Sequence, residues 1–308
     1  MVLSVLDEST LTAYAAGDAE RLDEGHRWLG ALLACSVLLQ FVGTFVRYAT
    51  FPPSPAVGSD VPASPAYSYS LYDGMHWGLP TFLLTIAITG TLAYLITRHR
   101  DRAYVALVAG FCAYSLGSVA LLTYAWTRFG SSHVGPGFYL ILTSSVIAAV
   151  VTVGAVLFLR PFPRPAFGSN PLRIVLAVGS ALAVGASAVI VDLRLPFEPL
   201  SIFSPLTVTS GTAAVFAFIS IAAFPLIALR LGNRLGSWLL LGLAANEAIR
   251  ALDAAFRRFG NFRGVSFHAQ LSIGWWIEIL VVALLVILAY EIRSPELDQQ
   301  REMVSQTP

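Results

Sequence analysis

The chain has 308 residues, of which 56% are apolar and only 12% charged, with a net charge of +1. A soluble domain carries about a quarter charged residues, so the composition excludes one, and the near-neutral balance offers nothing to nucleic acid. All nineteen basic residues are Arg, and without Lys no retinal or pyridoxal Schiff base can form.

In chain order, residues 1–27 come first. They are polar and acidic (Asp7, Glu8, Asp18, Glu20, Asp23, Glu24). A secretory signal opens with basic residues and a short apolar core, so this segment reads as a cytoplasmic tail. Apolar runs of spanning length follow, since a bilayer core of about 30 Å takes roughly 20 helical residues. They fall at 28–50, 79–97, 103–127, 137–159, 174–191, 211–230, 237–256 and 270–291. The expected fold is an all-α integral membrane protein whose transmembrane domain covers 28–291, followed by a cytoplasmic tail at 292–308. The seventh run is the least apolar; if it only lies on the surface, the count falls to seven. The fifth is nearly all Ala, Gly, Ser and Val, which predicts a helix at the bundle centre.

Arg placement sets the orientation. With both termini cytoplasmic, the inner segments hold twelve Arg and the outer ones six, with Arg250 inside the seventh span. The expected location is the cell membrane. The outer 51–78 segment, rich in Pro, Ser and Tyr, is long enough to cover that face as a lid. A faint repeat divides the spans into halves at 28–160 and 174–291. Arg128-Phe129-Gly130 and Arg258-Phe259-Gly260 close the third and seventh spans, and His133 and His268 follow them.

The seventh span carries the chemistry. Ionisable groups at membrane depth cost about 2.5–3.5 kcal/mol each on the lower scales. At 100° per residue, Asn246, Arg250, Asp253 and Arg257 share one stripe, with Glu247 at its margin. Such a stripe turns inward, and opposite charges at i,i+3 and i,i+4 offset each other. Glu278, two turns into the eighth span beyond Trp275 and Trp276, is expected to face it and pair with Arg250 or Arg257. These residues would line a polar path for a small molecule or ion, open to the outer face. The arginines would hold an anionic group while Glu247 or Glu278 exchanges a proton. The bland counterpart is a non-catalytic subunit of a membrane complex, its charges serving as glue between helices or partner subunits.

His76, His133 and His268 lie at the outer mouths of even-numbered spans and offer imidazoles to a metal or haem. Eight spans in two halves with His so placed resemble the haem A synthase architecture. Asp73-Gly-Met-His76 is similar to that family's acidic-x-x-His motif, and Val42-Gly-Thr-Phe-Val-Arg47 to its first-span segment. The resemblance implies haem binding and a redox or biogenesis role. The chain departs from the family in having no His in the sixth span, no Cys pair in the outer loop and no Arg after His76. No cofactor follows from the remaining motifs: nucleotide-binding glycines, Cys-x-x-Cys and Gly-x-Ser-x-Gly are all missing.

Overall fold

A computed structural model describes residues 8–51, 67–70, 79–129, 134–159, 171–190, 193–194, 211–257, 259–262, 265–268 and 270–305. Nine helices stand among them: α1 (Glu8–Phe45), α2 (Leu79–His99), α3 (Arg102–Phe111), α4 (Tyr114–Phe129), α5 (Pro136–Phe158), α6 (Pro171–Ser187), α7 (Thr212–Arg230), α8 (Asn233–Arg257) and α9 (Ile273–Ser305). Six stretches are long and apolar enough to cross a membrane: Glu24–Phe45 in α1, α2, Arg102–Thr127 across α3 and α4, α5, α7 and Ile273–Ser294 in α9. Their outer surfaces carry Leu38, Val150, Ile219 and Leu280, each at least half exposed. Large apolar side chains displayed this widely are solvated by lipid, not water. The protein is a polytopic helical membrane protein. Two further rods correspond to the fifth and seventh apolar runs: α6, apolar but 17 residues long, and α8, 25 residues long and charged.

Six short strands join the helices at one end of the bundle. β1 (Arg47–Phe51) pairs with β2 (Tyr67–Ser70), β3 (Leu193–Arg194) with β6 (Gln270–Leu271), and β4 (Phe259–Phe262) with β5 (Val265–His268), all antiparallel. Residues 52–66 and 71–78, where a lid is expected, lie outside the described residues.

The centre of the bundle is the crossing of α3 and α8. A Cβ on Gly110 would collide with the Leu239 carbonyl, and one on Gly242 with the Leu107 carbonyl. Two glycines thus let the backbones touch, as small residues do between membrane helices, and Leu239, Leu240 and Leu243 are fully buried around them. This corrects the expectation for α6. It packs on α7 and α9 only along its Ala177–Ser180–Val184–Ser187 face, while Leu172, Val175 and Leu182 are exposed. Its small residues serve close packing at the side of the bundle.

The third span is broken, which the apolar pattern does not foretell. α3 ends at Phe111, Cys112-Ala113 form a turn, and α4 restarts at Tyr114. A break frees carbonyls that must find donors inside a membrane. Asn246 Nδ2 donates to the Phe111 carbonyl at 2.8 Å, and Thr152 Oγ1 to the Cys112 carbonyl at 3.0 Å. Ser115 Oγ also donates to the Cys112 carbonyl, at 2.6 Å.

Two sets of helices, α1–α5 and α6–α9, repeat the same relations. α1 touches α2 and α5 as α6 touches α7 and α9; α3 touches α2 and α5 as α8 touches α7 and α9. Arg100 and Gly232, whose φ angles of 49° and 84° lie in the left-handed region, turn α2 into α3 and α7 into α8. The spacing from Arg100 to Gly232 is also that from Gly110 to Gly242. The Arg-Phe-Gly tripeptides lie two residues closer. Ala49 bridges Val134 as Leu193 pairs with Leu271, tying the segment after α1 to the start of α5 and the segment after α6 to the start of α9.

Candidate functional site

Glu247 lies about 21 Å along α8 from Asn233 and about 15 Å from Arg257, at about 1.5 Å per residue. It is therefore deep within the bundle. Its side chain is 0% exposed, as is that of Glu278 on α9. Between them sits Arg250, 28% exposed, whose Nη1 donates to Glu247 Oε2 at 3.4 Å and whose Nη2 is 3.1 Å from Glu278 Oε1. Nη2 also donates to the Ser187 carbonyl at 3.2 Å, and the guanidinium lies 4.4 Å over the Tyr114 ring. That face-on placement adds a cation–π attraction. One arginine thus serves two buried carboxylates.

The other Glu247 oxygen is met by hydroxyls. Tyr114, the first residue after the break, donates its phenol to Oε1. Ser187, the last residue of α6, donates to the same atom at 2.6 Å, and the two hydroxyl oxygens are 2.9 Å apart. Three elements therefore converge on the Glu247 carboxylate, α4, α6 and α8, and α9 joins them through Arg250. The interruption of the third span is what lets Tyr114 point there, and Asn246, one residue before Glu247, caps that same interruption. Toward the α2–α3 turn, Leu239, Leu240 and Leu243 close α8 with fully buried apolar side chains.

Further along α8, Asp253 accepts a hydrogen bond of 2.5 Å from Thr81 Oγ1 on α2. Of the expected site residues, Glu247, Arg250 and Glu278 come together directly. Asn246 faces α3, and Asp253 faces α2. Arg257 ends α8, with its side chain outside the described residues. His76 and His133 lie outside them altogether. His268 stands in β5 opposite Phe259, its side chain likewise outside. Among the described residues, no three His, Cys, Asp or Glu side chains gather as a metal ion would require. Sequence reasoning missed Tyr114 and Ser187. A tyrosine in mid-span was the available signal, because a buried phenol needs a partner.

Beside this cluster, the seam of α8 and α9 opens an apolar groove of about 640 Å³, lined by Ala248, Leu252, Ala255, Trp275, Val282 and Ala283 among others. Trp275 forms part of its wall and donates its indole N–H to the Ala251 carbonyl at 2.9 Å.

No family model matches the chain, and neither a curated protein nor a solved structure does. The functional reading therefore rests on the geometry.

Proposed function

We propose that the protein handles protons within the membrane, with Glu247 and Glu278 sharing one exchangeable proton beside Arg250. The observation that carries this reading is that two fully buried carboxylates on adjacent helices meet the same guanidinium, while Tyr114 and Ser187 bring hydroxyls to Glu247. Ionisable groups at membrane depth mark proton and ion paths, and the Tyr114 and Ser187 hydroxyls supply donors suited to a proton relay.

The same geometry argues against an anion held by the arginines, because Arg250 is already committed to two carboxylates. No feature of the described residues favours haem or metal at the histidines.

In this reading the chain crosses the cell membrane eight times, with α6 and α8 as the fifth and seventh spans and both termini cytoplasmic, as the Arg bias requires. Its matched halves are a duplicated four-helix unit, and the proton site belongs to the second copy with Tyr114 lent by the first. The function is transport or proton-coupled exchange across that membrane.

The test is a pH jump applied to the purified protein reconstituted on a solid-supported membrane. The wild type gives a transient charge displacement. Glu278→Gln and Glu247→Gln remove it while the melting temperature shows that both variants remain folded. Equal currents in all three proteins refute the proposal.

A further inference from the structure

We propose that the α2–α8 seam is the proton's route between the strand-bearing end of the bundle and the Glu247–Glu278 cluster, with Asp253 as its outer station and Thr81, Thr85 and Thr89 as its polar wall. This inference rests on the proton reading above and assigns the access path of that site. The strand-bearing end is the outer one in the topology proposed there.

α2 and α8 run antiparallel. The Arg234–Asp101 ion pair of 2.6 Å joins the start of α8 to the turn after α2, and the Thr81–Asp253 hydrogen bond joins their other ends. Inward from that hydrogen bond, at about 1.5 Å per residue, Thr85 and Thr89 lie about 6 and 12 Å along α2, and Arg250 and Glu247 about 4.5 and 9 Å along α8. Residues four apart share a helix face, so one face of α2 carries hydroxyls over the whole height from Asp253 to Glu247. Thr85 donates to the Thr81 carbonyl and Thr89 to the Thr85 carbonyl, which leaves each hydroxyl oxygen able to accept. In the other direction Leu239, Leu240 and Leu243 close α8 with buried apolar side chains.

The other set of helices supplies the comparison. By the spacing that relates Arg100 to Gly232, Thr85 and Thr89 correspond to Ala217 and Ile221 on α7. By the spacing of the Arg-Phe-Gly tripeptides, Glu247 corresponds to Gly117 on α4. A Cβ on Gly117 would lie 3.1 Å from Ala217 Cβ and 3.3 Å from Ile221 Cδ1. The positions matching Glu247, Thr85 and Thr89 therefore meet in that set, where they are apolar and tightly closed, with Ala217 and Ile221 each 1% exposed. In the α2–α8 seam the same positions carry a carboxylate and two hydroxyls, and Thr85 is only part-buried. Of the two matching seams, the polar one is the one that leads to the charges. The ionisable groups along it are Asp253, Arg250 and Glu247 on α8, with Glu278 of α9 and Tyr114 of α4 at its inner end and Arg257 beyond its outer end; the first charged residue of α2 is Arg98, at the far end of that helix. A proton passes from Asp253 to water in the seam and from water to the glutamate pair. One carboxyl O–H breaks, another forms, and no water is consumed.

The pH jump on the full chain, reconstituted on a solid-supported membrane, tests this through the rate of the charge displacement. Thr85→Val removes the hydroxyl and keeps the shape. It is expected to slow the displacement about tenfold, the scale of one hydrogen bond lost from a rate-limiting passage, with the total displaced charge and the melting temperature unchanged. Thr85→Ser, which restores the hydroxyl, regains the rate. Thr89→Val and Asp253→Asn slow the displacement likewise, so the test survives one variant that does not fold. Thr91→Val is the control: Thr91 makes the same bond to the carbonyl four residues back but stands on the exposed face of α2, and its loss leaves the rate as it was. Wild-type rates in Thr85→Val and Asp253→Asn overturn the route, as does a slowing that Thr85→Ser does not reverse. In either case a persisting wild-type current leaves the proton site standing and refutes the seam alone. Absence of current in the wild type refutes the proton reading itself, and the route with it.

Discussion

Arg250 is the residue on which the site depends. Its guanidinium is the counter-charge of two carboxylates that have no solvent exposure. Removing it takes a cation from both, so Arg250→Leu is expected to destabilise the protein by about 3–5 kcal/mol, the usual cost of breaking a buried pair. Unfolding in mixed micelles measures this, and a loss below about 1 kcal/mol would mean that the carboxylates do not need the arginine. At this scale much of the site was legible. A stripe at 100° per residue picks out the inward face of α8, and a lone Glu278 at membrane depth must find a cation. The hydroxyls were not legible, for a physical reason. Ser and Thr in a span can bond the carbonyl four residues back, as Thr85, Thr89, Thr91 and Thr97 do, so their presence says little about a site. Ser187 stands among such residues in sequence and differs from them only in what it meets.

Two elements set the geometry: the α3–α8 crossing and the break that follows it. Gly110 and Gly242 allow the contact, which brings Asn246 within reach of the Phe111 carbonyl and aligns Tyr114 with Glu247. Gly242→Leu would press a side chain against the Leu107 backbone, and it is expected to abolish monodisperse protein in size-exclusion chromatography. Gly90→Leu is the control, because nothing lies within 4 Å of a Cβ there. Equal behaviour of the two variants would show that the close crossing is dispensable. Seven of the eight apolar runs each overlap one helix and the third covers two, since length and apolarity are properties of the runs themselves. The break left no trace in the pattern. Cys112 and Ala113 are not helix breakers, and at the turn Asn246 and Thr152, distant in sequence, donate to the Phe111 and Cys112 carbonyls. A Pro does mark α7, yet Pro225 sits buried inside a helix that continues through it.

At the scale of the whole molecule, two sets of helices with matching neighbours enclose one charged cluster among the described residues. The tripeptides hinted at this repeat. The stronger marks are the paired left-handed turns at Arg100 and Gly232 and the reciprocal glycines, which only coordinates reveal. In the proposed duplicated bundle one copy carries the charges and the other supplies Tyr114. The proposed halves meet at the proposed proton site, so motion of one set against the other would alter the surroundings of that site. The most direct measurement is the infrared spectrum of the reconstituted protein at neutral pH in H₂O and D₂O. The wild type should show the carbonyl stretch of a protonated buried carboxyl, shifted by deuterium. Both Glu247→Gln and Glu278→Gln should lack it, because each leaves one carboxylate for one arginine. A wild-type spectrum without that band, or a band that survives in both variants, would contradict the shared proton.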